Sequence, residues 1–202
     1  MSKLFLGVVL VVILGWPQPP LGQSQTSLSI QHLDKGAIQD KTYRNASIGL
    51  DFTFDPSLTF QRPEVKENGT KHESLMVYAL GKATPGSVRE STFIGAVALA
   101  YYSQDERSTG ACMRKVIDAQ LKNGFKTVKG NSNSELGRMT FARTDFTHSA
   151  PPAYEAVFVR ACDALAFTVV FAGHDRDTVE RFVSAANLKL DPSVSGCHSQ
   201  DK

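Results

Sequence analysis

Cysteine is scarce in this chain, and so are the arrangements in which cysteine, histidine or glycine does chemistry. Cys112, Cys162 and Cys197 are an odd number, so at most one internal disulfide forms. No CxxC occurs and no two histidines stand at helical spacing, which removes the common zinc patterns. GxSxG, HExxH and a GxGxxG after a strand are all missing, and with them the signatures of serine hydrolases, zinc proteases and dinucleotide enzymes. Gly81-Lys82-Ala83-Thr84 is similar to the end of a phosphate loop, but Met76 stands where the first glycine belongs. There is no run of Lys or Arg. The 22 basic residues, one of them Lys3 near the start, face 20 acidic ones. That balance gives no basis for capturing nucleic acid or an anionic membrane, which takes clustered positive charge. No cofactor and no metal are implied.

Long hydrophobic runs are also lacking, except at the beginning. Lys3 precedes Leu4–Trp16, 13 uninterrupted apolar residues. That is short of the roughly 20 that span a bilayer as a helix, and fits the core of a signal peptide. Cleavage is expected near Gly22–Gln25, and no cysteine follows closely enough for a lipid-modified start. The expected organisation is a signal peptide (1–24), a linker or loose arm (25–42), one domain (43–190) and a C-terminal tail (191–202). The product reads as secreted or periplasmic, without a membrane span in the mature chain. Asn45-Ala-Ser and Asn68-Gly-Thr are glycosylation sequons where the machinery exists.

What is present is β-forming sequence with two helical stretches. Tyr154–Ala161 and Leu165–Ala172 are runs of β-formers separated by three residues, a hairpin signal. After Gly173 the period changes to 3.6, and Val179, Phe182, Val183 and Ala186 form one apolar stripe. Asp177 with Glu180 fits a capping box for that helix, which is expected to run to Leu190. Earlier, Ile48, Leu50, Phe52 and Phe54 alternate with polar residues as in a half-buried strand, stopped by Asp55-Pro56. Arg62–His72 reads as a surface loop. Ser74–Leu80 and Thr92–Tyr102 are strands, the second apolar on both alternations and so expected at the centre of a sheet, with its alanines under a helix. Ser108 or Thr109 caps a helix with Met113, Val116, Ile117 and Leu121 on one stripe, closed by Asn123-Gly124. Phe125–Val128 is a short strand, Gly130–Ser134 a loop and Gly137–Phe146 a further strand. The expected fold is α+β: a mainly antiparallel six-stranded sheet with helices packed on it, in βββα-βββα order.

Tyr43-Arg-Asn-Ala-Ser-Ile-Gly-Leu-Asp-Phe-Thr-Phe-Asp-Pro and Leu165-Ala-Phe-Thr-Val-Val-Phe-Ala-Gly, with the helix after it, resemble the opening and close of the PsbP-like family. The outline covers Tyr43–Leu190 and rests on pattern. Pro56-Ser-Leu stands where the family carries a Gly-Trp. The resemblance implies a PsbP-like sandwich and a binding or assembly role, and it carries over no catalytic residue.

The functional reading is therefore a secreted or extracytoplasmic binding or accessory module whose partner is an extracytoplasmic protein or a small ligand. The alternatives are an enzyme with a site built from scattered loop residues, and a structural or interaction protein of the cell surface. Tyr101 and Tyr102 are candidates for surface recognition, since Tyr offers contact area at little entropic cost. The same position also suits a core rim. His174, Asp175 and Asp177 stand together at a strand-to-helix junction, where helix capping accounts for them. His148 reads as a solvated loop residue, and Ser103–Glu106 as a solvated turn. For the cysteines, a strand Leu165–Ala172 of about 26 Å and a returning helix of about 24 Å nearly cancel in length. That brings the tail back to the Cys162 turn and favours Cys162–Cys197, with Cys112 as a buried thiol. Cys112–Cys162 is the competing pair.

Overall fold

Strand formation is strongest where β-branched and aromatic residues line both alternations, as in Pro152–Ala161 and Leu165–Gly173. The structure, a computed structural model, describes residues 33–68, 72–81, 95–102, 108–149, 152–162 and 165–197. Through them run β1 (Ala37–Gln39), β2 (Thr42–Asn45), β3 (Leu50–Thr53), β4 (Leu58–Phe60), β5 (Glu64–Asn68), β6 (His72–Gly81) and β7 (Gly95–Tyr102). There follow α1 (Thr109–Lys122), β8 (Lys126–Leu136), β9 (Met139–Ser149), β10 (Pro152–Ala161) and β11 (Leu165–Gly173). The last elements are α2 (Arg176–Ala185), β12 (Asn187–Leu190) and the single turn α3 (Pro192–Ser195).

The strands form two antiparallel sheets. The small one has four strands, ordered β1-β2-β3-β12, and the large one has eight, ordered β4-β6-β7-β11-β10-β9-β8 with β5 also paired to β6. Every residue of β11 is buried, as its place in the middle of the large sheet requires. One face of that sheet carries Leu75, Val77, Ala96, Ala98, Phe158, Phe167 and Phe171. They share a continuous core with Tyr43, Leu50 and Phe52 of the small sheet and Val179 and Phe182 of α2. The other face carries Met76, Val97, Phe146, Val157 and Val170 and meets Cys112, Met113 and Val116 of α1. Successive side chains on a strand point to opposite faces, so the two alternations of each long strand feed two separate cores.

This architecture overturns the expected six-stranded α+β sandwich of the PsbP-like type: the fold is strand-rich, with two sheets. The additional strands are short or lie at edges. β5 occupies the charged stretch read as a surface loop, and β8 runs through the stretch read as a GNSNS loop. All but a few residues of β8 are exposed, so its side chains carry no apolar alternation; pairing with β9 makes it a strand. β1 and the buried Leu33 bring part of the supposed linker into the fold. The closing helix also stops five residues early. Leu190 stands four residues after Ala186 and so continues the helical stripe on paper. Leu188 and Leu190 alternate equally well as a strand, and pairing with β3 decides for β12. The alanine face of β7 belongs to the core shared with the small sheet and α2, while α1 packs on the opposite face.

The β8–β9 hairpin turns at Gly137-Arg138, with Gly137 at φ 65°. A Cβ at Gly137 would lie 2.2 Å from the Leu188 carbonyl oxygen, so a glycine lets this turn sit against β12. Among the described residues, no helix is long and apolar enough to cross a membrane.

Candidate functional site

Cys162 is bonded to Cys197, with their Cα atoms 4.6 Å apart. The sheet separates this pair from Cys112. Ala161 belongs to the α1 face and its N–H donates to Thr109 Oγ1, which sets the first turn of α1 beside the end of β10. The next residue, Cys162, points the other way and packs with Cys197 in the core shared with the small sheet. Cys112 is buried across the sheet from both. Tyr101 and Tyr102 end β7, opposite Ala166 and Leu165 of β11; their side chains lie outside the described residues. So do Ser103–Glu106 and Lys82–Thr84.

His174, Asp175 and Asp177 are exposed and serve the start of α2. The N-cap is Asp175, whose carboxylate accepts from Thr178 N–H at 2.7 Å; that bond holds the Asp175 carboxyl below its usual range. The expected Asp177–Glu180 capping box is not formed, because the helix begins earlier and Asp177 lies inside its first turn. Among the described residues no group of His, Cys, Asp and Glu is placed to hold a metal ion. His148 is not a loop residue: it lies half-buried in β9 with its ring 4.9 Å from Phe125. Asn45 is buried, and its amide donates to Asp34 O at 2.7 Å and to Tyr43 Oη at 3.0 Å. Tyr43 in turn donates to Lys35 O, and burial pushes its phenol up to about 12. The Tyr43-Arg-Asn45 motif thus clasps the stretch that enters β1, and the folded chain withholds the Asn45 sequon.

Two polar clusters stand out, and sequence reading singled out neither. The first lies on the face toward α2. Arg143 donates from Nε to Asp145 at 2.7 Å and from Nη2 to Glu180 at 2.6 Å, with second bonds to each at 3.1 and 3.2 Å. Tyr154 donates to Asp145 at 2.9 Å, and the guanidinium lies 5.2 Å from the Phe158 ring centroid. Burial works against the charge on Arg143, but the bonds to Glu180 and Asp145 outweigh it and raise its pKa. Four of five donors are committed, so this arginine is a clamp between β9 and α2 and not an open anion receptor.

The second cluster lies on the opposite face, beneath α1. Glu155 is 4% exposed, between Phe146 of β9 and Ala172 of β11. Gln120 of α1 donates from Nε2 to its carboxyl at 2.6 Å. Burial pushes Glu155 up to about 7, with the Gln120 bond opposing. Gln120 Oε1 and Thr144 Oγ1 are buried without a hydrogen-bond partner among the described residues. This also corrects the stripe on α1, where Gln120 is inside and Leu121 is half exposed. Both clusters leave a trace in the sequence. Arg143 and Asp145 share the alternation of Phe141, and Glu155 shares that of Val157 and Val159; a charge at an inward strand position needs a partner.

No protein-family model and no curated protein matches the chain. Among solved structures, a crystal structure from Bacteroides thetaiotaomicron VPI-5482 aligns at TM-score 0.39 and 11% identity, over 78% of this chain and 49% of that one. The chain spans about half the length of that neighbour, and a likeness at this level carries no argument about function.

Proposed function

We propose that this chain is an exported, extracytoplasmic binding or accessory module. The observation that carries the reading is the Cys162–Cys197 bridge, which ties the tail after α3 to the end of β10. Bridges of this kind persist in oxidising compartments, and the Lys3 and Leu4–Trp16 leader supplies the route there. Of the buried charged groups among the described residues, Arg143 and Asp145 tie β9 to α2 and Glu155 ties β10 to α1, so these three are structural.

The test is expression of the full chain in a bacterial host, fractionation and intact-mass analysis. A chain lacking residues up to about Gly22–Gln25 in the extracytoplasmic fraction, giving a linked Cys162–Cys197 peptide on non-reducing mapping, is the expected result. Cross-linking in the extracytoplasmic fraction of the source organism is expected to yield one stoichiometric partner. A chain retained in the cytosol with its leader and three thiols overturns the proposal.

A further inference from the structure

We propose that the Glu155 carboxyl is held as the neutral acid and that its proton seats α1 on the large sheet, so that the loss of this proton loosens the helix. The argument starts from the partners. A carboxylic acid and a primary amide match each other: the amide N–H meets the carbonyl oxygen and the acid O–H meets the amide oxygen. One half of that pair is present as the 2.6 Å bond from Gln120 Nε2 to Glu155 Oε2. The other half is implied by Gln120 Oε1, which is buried and has no donor among the described residues. A proton on Glu155 supplies that donor. An ionised Glu155 removes it and leaves two groups of oxygens facing each other in an apolar seam of Phe146, Val157, Val116 and Phe125.

Among the described residues, Gln120 is the side chain bonded to Glu155, and no charged side chain is. β11 contributes no charged residue. On β9, Asp145 points to the opposite face, and His148 shares the Glu155 face, half-buried against Phe125. On α1, Arg114, Asp118 and Lys122 are exposed and Lys115 is half-buried. The upward displacement of the Glu155 titration is caused by burial, opposed by Gln120. Sequence places the sensor where it acts on one element: Gln120 lies in the last turn of α1, followed by Asn123-Gly124, and Phe125 N–H bonds back to the Gln120 carbonyl. Loosening is therefore expected to begin at the C-terminal half of α1, where Leu121 is already half exposed.

Hydrogen exchange read by mass spectrometry from about pH 5 to about pH 9, corrected for the intrinsic pH dependence, tests this on the intact exported chain. Peptides covering α1 are expected to lose at least about tenfold in protection between about pH 5 and about pH 7, starting from a lower protection than β11 peptides. Glu155→Gln is expected to remove the α1 step. A flat α1 profile in the wild type, or the same step in E155Q, overturns the proposal. Side-chain carbon NMR of Glu155 in the wild type needs no variant. A carboxyl carbon that titrates near neutral pH supports the assignment, and one that titrates with the ordinary glutamates sinks it.

Discussion

Removing the Arg143 side chain is the most informative perturbation, because the structure isolates what it would leave behind. Asp145 is 1% exposed and accepts three side-chain bonds, two from Arg143 and one from Tyr154. Arg143→Ala strands that carboxylate with one neutral donor, and losing one partner of a buried pair costs about 3–5 kcal/mol. Loss of the guanidinium over Phe158 adds to this. Glu180 lies about a third exposed, so Glu180→Ala is expected to cost no more than about 1 kcal/mol. At about 2–4 °C per kcal/mol for a chain of this size, the first variant should melt roughly 6–20 °C lower and the second at most a few degrees lower. Replacing both partners, as Arg143→Met with Asp145→Leu, should recover most of the loss, since no buried charge is left unpaired. Urea denaturation followed by circular dichroism measures all three. If Arg143→Ala and Glu180→Ala cost the same, or the double variant is no better than the single one, the stranded Asp145 carboxylate is not the source of the loss.

The pH dependence of global stability has a defined sign: the folded chain keeps the Glu155 proton to about pH 7, whereas the unfolded chain releases it near 4.5. Folding stability should therefore fall across that window, by about 3 kcal/mol, and E155Q should abolish that part of the fall in urea titrations at each pH. Phe182→Ala, at a position 1% exposed in the core under α2, should cost about 3–5 kcal/mol, while the exposed Arg181→Ala should cost about 1 kcal/mol or less; equal melting temperatures would refute the helix phase. The β1–β2 turn holds Asp40 at φ 46° and Lys41 at φ 61°, conformations suited to Asn-Gly. Exchanging the pair for Asn-Gly should stabilise the chain by about 1 kcal/mol, seen as a raised midpoint in thermal melting.

Much of the core was written into the sequence by itself. The β10–β11 hairpin, both long helices with their Val179–Phe182 and Met113–Val116 contacts, and the strands of Ser74–Leu80 and Leu50–Phe54 follow from periods of 2 and 3.6, because burial on one face imposes those periods locally. The remaining strands depend on pairing with a neighbouring strand. β8 has almost no buried side chain, and β5 lies in a charged stretch; a neighbouring strand's backbone, which no side-chain pattern records, makes them strands. Asn187–Leu190 fitted two periods at once, and the edge of β3 chose between them. The candidate sites followed the same logic. Arg143, Asp145 and Glu155 were visible as charges on inward alternations, but their partners Glu180 and Gln120 lie 37 and 35 residues away. Which carboxyl meets a guanidinium and which meets an amide is fixed by the sheet, whose two faces carry different helices.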